Sequence, residues 1–287
     1  MKVYDFKDLR PKPNYPVYPP YHTGNYLEDF IFEYYKENRD IFDKSGRIMI
    51  PVSWTTLYVD NVNINVQEYL DALPKGRYWT VSQHDDGIRQ QLPPDTLHFA
   101  AGGRGGGIPI PLVCSPIPKE RIGEIPSISS RQFLCSFVGS TTHPIRQLYR
   151  NLYGTPEAQF HGMICNTDKW SQSVSDDKLI NFINITKNSK FAFAPRGYGL
   201  SSFRLYEIMQ MDTIPIYCSD IEWLPWTDEL NWNEFSVIIS PNDLPNLYKK
   251  LIEISPAQMQ RMIDRKNEIY DDYFTMEGIV KQISKRL

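Results

Sequence analysis

A chain of 287 residues with 31 Lys+Arg against 34 Asp+Glu, a formal charge of -3 and a mean hydropathy of -0.43 reads as globular. At roughly 100 to 200 residues per domain it holds one large domain or two modest ones, and two are expected. No long basic run supplies the counterion release behind non-specific nucleic-acid binding, and no window approaches the roughly 20 apolar residues that cross a bilayer, so neither a nucleic-acid partner nor a membrane span is expected.

The opening MKVYDFKDLRPKPN is too charged and proline-rich for a signal peptide; the expected location is cytoplasmic, or a targeting segment has been removed. PKPNYPVYPP (11–20) is extended or irregular, because proline blocks both helix and central strand. Leu27, Phe30, Ile31, Tyr34 and Tyr35 fall at helical spacing, and the runs RIMIPVS, RYWTVS, TLHFA and IPIPLV read as strands. Pro116 to Arg131 carries three prolines and no periodicity, so it reads as an interdomain connection with the boundary near residue 130. A second strand series then begins at FLCSFVG and continues through QFHGMIC, KFAFAP, TIPIYC and FSVIIS, with a helix carrying Ile145, Leu148, Tyr149 and Leu152. Ser255 with Pro256 opens one further helix and Thr275 caps another. Short strands alternating with helices predict an α/β fold of parallel layers, and two Rossmann-like halves would form a cleft at the strands' carboxyl ends. Cys114, Cys135, Cys165 and Cys218 form no C-x-x-C pair, so they read as reduced core thiols and zinc is not expected.

Residues 190 to 220 read strand, glycine turn, helix, strand. Gly197 and Gly199 permit a tight turn and close backbone approach, and Ser201 or Ser202 can cap the helix, leaving main-chain N–H groups facing an anion. Arg196 before the turn and Arg204 in the first helical turn can reach phosphate oxygens. Arg204 and Glu207 share a helix face: a carboxylate there suits ribose hydroxyls, or the two pair on the helix surface for under about 1 kcal/mol. The glycine cluster GGRGGG (102–107) fits neither G-x-x-x-x-G-K-[ST] nor G-x-G-x-x-G and reads as a pliable loop near the cleft mouth.

The run P-R-G-x-G-x-S-S-F-R-x-x-E at 195–207, followed by IPIYCSD, LPW and NWNEFSVII, resembles the C-terminal signature of the exostosin family of glycosyltransferases. FVGSTTHPIRQLY resembles the family's strand, glycine turn and Arg-bearing helix. IMIPVSW and VSQHDDG occupy the places of its N-terminal strand and acidic-imidazole segment, with the order of groups changed. Met209, Asp212 at the glycine position and Trp226 depart from the pattern.

The resemblance implies a GT-B fold: two Rossmann-like domains with parallel sheets facing across a cleft, and an inverted anomeric centre. Residues 1–130 would form the acceptor-side domain, 131–265 the nucleotide-sugar domain, and 266–287 helices packing back toward the first. By position, Glu207 would hold the ribose, Arg146 and Arg204 the diphosphate, and the Ser201–Ser202 turn its oxygens, with Arg196 a fourth group. Inversion requires a base from the opposite wall, and His84, Asp85 and Asp86 follow the strand RYWTVS to its carboxyl end, with Asp85 the preferred base. Asp-Asp-Gly is also ordinary turn chemistry. His22 and Arg104 are acceptor-side candidates, and His143 and His161 donor-side ones. Three arginines can carry the diphosphate's charge, so no metal or cofactor is expected and the acidic pairs in HDD and SDD (175–177) are discounted. The expected activity is transfer from a UDP-sugar, UDP-xylose first, to a glycan acceptor; the alternative is a catalytically degenerate nucleotide- or glycan-binding protein of this fold.

Overall fold

A computed structural model describes residues 7–12, 26–152, 160–165 and 175–287. His22 lies outside the described residues, and only the backbone is described at His161 and Cys165.

The first half holds a four-stranded parallel sheet, with β1 (Arg47–Met49), β2 (Arg77–Ser82), β3 (Leu97–Ala100) and β4 (Ile108–Pro109) in sequential order. Pro109 and Pro111 remove ladder donors, which holds the last strand to two residues where IPIPLV promised six. Around this sheet lie α1 (Leu27–Glu37), α2 (Arg39–Asp43), α3 (Trp54–Val59) and α4 (Val66–Asp71), and α5 (Lys119–Ile122) sits in the connection.

In the second half, β5 (Phe133–Ser140), β6 (Phe160–Cys165), β7 (Ser189–Pro195), β8 (Ile214–Cys218) and β9 (Val237–Ile239) form a parallel sheet in the order β6-β5-β7-β8-β9. The order reverses at β5, so a crevice opens between the loops leaving β5 and β7. Its helices are α6 (Pro144–Leu152), α7 (Asp176–Lys187), α8 (Phe203–Met209) and α9 (Leu247–Ile252). α10 (Pro256–Tyr273) starts with a Ser255–Gln258 capping box and α11 (Met276–Arg286) with Thr275 accepting from the Gly278 N–H.

One apolar core joins the halves. Leu27 and Ile31 of α1, Trp79 of β2, Ala192 and Ala194 of β7, Leu205 and Tyr206 of α8, and Ile279, Val280 and Ile283 of α11 belong to a single buried cluster. α10 buries Ile269 in that cluster and Met259 and Ile263 in the core beneath β5 to β9. Asp176 and Asp177 of the SDD run stand in the first turn of α7, where carboxylates complement the helix N-terminus, and Asp176 pairs with Arg121 at 3.0 Å. Among the described residues no helix is long and apolar enough to cross a membrane.

Candidate active site

Both sheets present the loops at their carboxyl ends to one place. From the first come the β2–β3 turn (His84–Gly87) and the glycine loop after β3; from the second come the β5–α6 loop with His143, the β7–α8 turn (Arg196–Ser202) and the segment after β8. The loops that carry the sequence-predicted residues of opposite halves therefore meet: Tyr198 Oη donates to Asp86 Oδ1 at 3.0 Å, and the Leu200 N–H donates to the Gly102 carbonyl at 2.8 Å.

The acidic turn is locally closed. Gly87 N–H donates to the His84 carbonyl at 2.9 Å, Asp86 N–H reaches His84 Nδ1 at 3.2 Å, and Gly87 takes φ +67°, which favours glycine. The turn chemistry and the cleft-facing carboxyls thus occur together. Asp85 accepts from the Gly199 N–H, and its carboxyl is pushed up to about 6. Burial is the leading cause and the Asp86 charge adds to it, while Arg104, Gly199 and Arg146 act against it. Asp86 ends below the ordinary carboxylate range: burial raises it, but the Tyr198 hydroxyl and the charges of His84, Arg104 and Arg89 outweigh that. Two adjacent carboxyls are therefore driven apart, one toward proton transfer near neutral pH and one toward a fixed negative charge. Burial lowers the His84 imidazole, which packs edge-on against Tyr58 with ring centres 5.2 Å apart.

Arg104 stands beside this turn, with Nε 3.2 Å from Asp86 Oδ1 and its guanidinium 4.2 Å from the Tyr198 ring centre. The glycine loop that carries it is wedged rather than pliable. A Cβ on Gly102 would collide with Asp85 Cα and the His84 carbonyl, and one on Gly105 with the Asp86 carbonyl. Main chain thus packs on main chain, and the glycine cluster is the spacer that permits it.

On the wall formed by the second half, Arg146 of α6 spans the β7–α8 turn. Its Nε donates to the Arg196 carbonyl at 3.0 Å and its Nη atoms to the carbonyls of Ser140 and Pro195 and to Ser202 Oγ. Ser202 caps α8, accepting from the Arg204 N–H at 3.3 Å, while Ser201 is buried behind it. Neither Gly197 nor Gly199 takes a positive φ, so close approach is what requires them. A Cβ on Gly197 would come within 3.2 Å of Arg146 Nη2, and one on Gly199 would collide with the Asp85 carboxylate.

Arg196 and Arg204 are both engaged by protein partners. Arg196 is 5% exposed, gathers the carbonyls of Tyr198 and Gly199 with its own guanidinium and pairs with Asp220 at 2.6 Å, so it braces the turn from within. Arg204 stacks on Phe182 at 3.7 Å and pairs with Glu207 at 2.9 Å. That pair is largely buried, not a helix-surface contact: Glu207 is 4% exposed and neighbours Cys114, just before the interdomain connection, and Tyr270. His143 lines the crevice among Arg196, Asp220, Arg146 and Arg104, with burial and these arginines lowering its imidazole.

Sequence reasoning passed over Tyr198, Asp220 and Glu28. A tyrosine set between two glycines in a turn is the signal that marks the first; Glu28 had none, because its partners lie far along the chain.

The family model for the exostosin GT47 domain matches residues 97–254, which hold Arg104, Arg146 and the whole β7–α8 segment. A probable glycosyltransferase of Arabidopsis thaliana is 31% identical over 147 residues, 49% of this chain and 25% of that protein. The Exostosin-1 homolog of Caenorhabditis elegans is 28% identical over 86 residues, 30% of this chain and 22% of that protein. The aligned stretch thus spans about a quarter of the length of these curated relatives. Among solved structures, WaaG, a glycosyltransferase involved in lipopolysaccharide biosynthesis, aligns with 95% of this chain and 97% of its own at a TM-score of 0.41 and 9% identity. The two facing parallel sheets are the GT-B arrangement, the family model spans more than half of the 287 residues, and the chain belongs to the exostosin GT47 family.

Proposed function

We propose that the protein is an inverting, metal-independent glycosyltransferase that moves a sugar from a UDP-sugar, UDP-xylose first among the donors, to a glycan hydroxyl. The observation that carries this reading is the seat of Asp85: a desolvated carboxyl from one half rests on the Gly199 N–H in the glycine turn of the other.

In this reading Asp85 takes the proton of the acceptor hydroxyl as its oxygen attacks the anomeric carbon. The bond from that carbon to the diphosphate oxygen breaks in the same displacement, and the configuration inverts. The charge gathering on the departing diphosphate falls to Arg146 and to the main-chain N–H groups at the start of α8, beside the Ser201–Ser202 cap. His84 and Asp86 flank the base and set its charge environment, and Arg104 faces the acceptor. UDP-galactose, UDP-glucuronate and UDP-arabinose follow in the donor series, and the names of the rice relatives, probable glucuronosyltransferases, support including UDP-glucuronate.

The testing experiment is a thermal-shift screen against UDP, GDP, CDP and the common nucleotide sugars, with and without EDTA, followed by turnover of the best donor on a glycan panel. A stabilised native state is expected with a UDP-sugar and is expected to survive EDTA. Absence of any nucleotide shift at millimolar ligand would replace this reading with a degenerate glycan-binding protein, and EDTA-sensitive turnover restored by Mn²⁺ would overturn metal independence.

A further inference from the structure

We infer that Glu28, on α1 and outside every motif of the cleft, is the positioning residue that sets the height of the base-bearing turn. The inference rests on the proposed role of Asp85.

Glu28 is 3% exposed and sits where the carboxyl end of β2 passes the N-termini of α1 and α3. Its Oε1 accepts the Gln83 N–H at 2.6 Å and the Thr55 hydroxyl at 2.8 Å; its Oε2 accepts the Thr55 N–H at 3.0 Å. Gln83 answers in kind, its Oε1 accepting the Leu27 N–H at 2.9 Å. Two reciprocal bonds thus clamp residue 83 to α1, one residue before His84 and two before Asp85.

The next residues have little freedom to take up a shift. Gly87 closes the turn on His84, the Arg104 N–H holds the Asp85 carbonyl at 2.9 Å, and the Ala101 N–H holds the Ser82 carbonyl at 2.9 Å. On the far side, Tyr58 packs on His84 and its hydroxyl accepts the Arg89 N–H at 3.1 Å. Displacement at Gln83 therefore passes to Asp85 as a rigid movement, and movement of a reacting group by about 1 Å is enough to cost on the order of 100-fold in rate. Without that carboxyl the Gln83 N–H, the Thr55 N–H and the Thr55 hydroxyl are buried with no acceptor, so the turn must shift to satisfy them. Asp29, the next residue, is the internal comparison: it accepts from Ser53 Oγ at 2.6 Å and so ties α1 to α3 without touching the turn.

The test compares Glu28→Met, Glu28→Gln and Asp29→Asn in the full chain. Glu28→Met keeps the volume and removes every acceptor; it is expected to lower kcat about 10- to 100-fold while the UDP dissociation constant stays within about twofold. Glu28→Gln keeps a carbonyl oxygen for Gln83 and Thr55 Oγ1 and is expected to restore most of that rate. Asp29→Asn is expected to lower Tm and leave kcat alone. Hydrogen exchange reads the same point without turnover: protection at residues 84–87 falls in Glu28→Met and is kept in Asp29→Asn, so the inference stands or falls even if the transferase reading fails. Should Glu28→Met not fold, Glu28→Asp carries the test, since its carboxylate is one methylene short of holding Thr55 and Gln83 together. Unchanged kcat and unchanged exchange at 84–87 in folded Glu28→Met or Glu28→Asp, or equal kcat losses in Glu28→Met and Asp29→Asn, would overturn it.

Discussion

Replacing Asp85 with Asn separates stability from catalysis at one atom. Burial lifts the Asp85 carboxyl from its ordinary value near 3.8 to about 6. Holding it ionised in the native protein at neutral pH therefore costs about 3 kcal/mol, at 1.36 kcal/mol per pH unit. The sign follows from proton binding: between about pH 4 and 6 the native state holds a proton that the unfolded chain has released, so stability falls as pH rises through this window. Above it the penalty is complete, and below it there is none. Asp85→Asn removes the charge while keeping the shape and an oxygen for the Gly199 N–H. At pH 7.5 the variant is expected to melt about 6 °C higher, at roughly 2 °C per kcal/mol for a chain this long, and at pH 4 the two melting curves should converge. Loss of the base should lower kcat about 10²- to 10⁴-fold while donor binding persists, and wild-type kcat should fall below about pH 6 as Asp85 protonates. Calorimetric melting at the two pH values and initial rates across the range read both halves. A variant no more stable at pH 7.5 than at pH 4, relative to wild type, would refute the desolvation argument; full turnover would refute the base assignment.

The Asp85 seat also predicts a contrast between glycines. Gly199→Ala drives a Cβ into the Asp85 carboxylate and to 2.8 Å from the Gly102 carbonyl, so rate should fall at least about 100-fold; Gly106→Ala has open space at φ +74° and should cost only about 1 kcal/mol with rate intact, and kinetics with melting curves for both would expose a reversed order. Glu207→Ala leaves Arg204 without its buried partner and should cost about 3 to 5 kcal/mol in urea unfolding while the UDP dissociation constant of the folded protein changes under about threefold; a tenfold weakening with stability unchanged would instead place Glu207 on the ribose. Cys135 and Cys218 are both fully buried and their thiols are pushed up to about 12 by burial, so maleimide at pH 8 should leave both unlabelled in the native protein and label both in urea, by peptide mapping; rapid native labelling would contradict the packing.

The parts legible from the sequence are those whose cause is local. The apolar spacing of α1 and α6, the Ser255–Pro256 opening, the Thr275 cap and the β7–turn–α8 unit all rest on neighbours within a few residues, and each stands where the sequence puts it. Asp212, which stands at the family's glycine position, shows how far local reasoning extends. Its φ of +49° is the left-handed region that glycine enters freely and aspartate tolerates. What holds it there is remote: Lys266 on α10, itself buried, reaches its carboxylate at 2.7 Å.

The reasons for the remaining site residues come from the tertiary fold. An acidic residue in the first turn of an amphipathic helix reads as solvent-facing, and nothing within a turn of Glu28 reveals that Thr55 and Gln83 will close over it. The glycines argue the same point. Gly197 and Gly199 read as permitting a tight turn and close approach, and it is the close approach, not a positive φ, that requires them; GGRGGG reads as slack, yet Gly102 and Gly105 are filled against the acidic turn. A glycine whose backbone alanine could also adopt marks a close approach, and its partner is set by the packing of the two halves. Here the partner on one side is the β2–β3 turn and on the other the Asp85 carboxylate it carries. The same absent Cβ atoms that bring the two walls together therefore also fix where the Asp85 carboxyl sits over the β7–α8 turn.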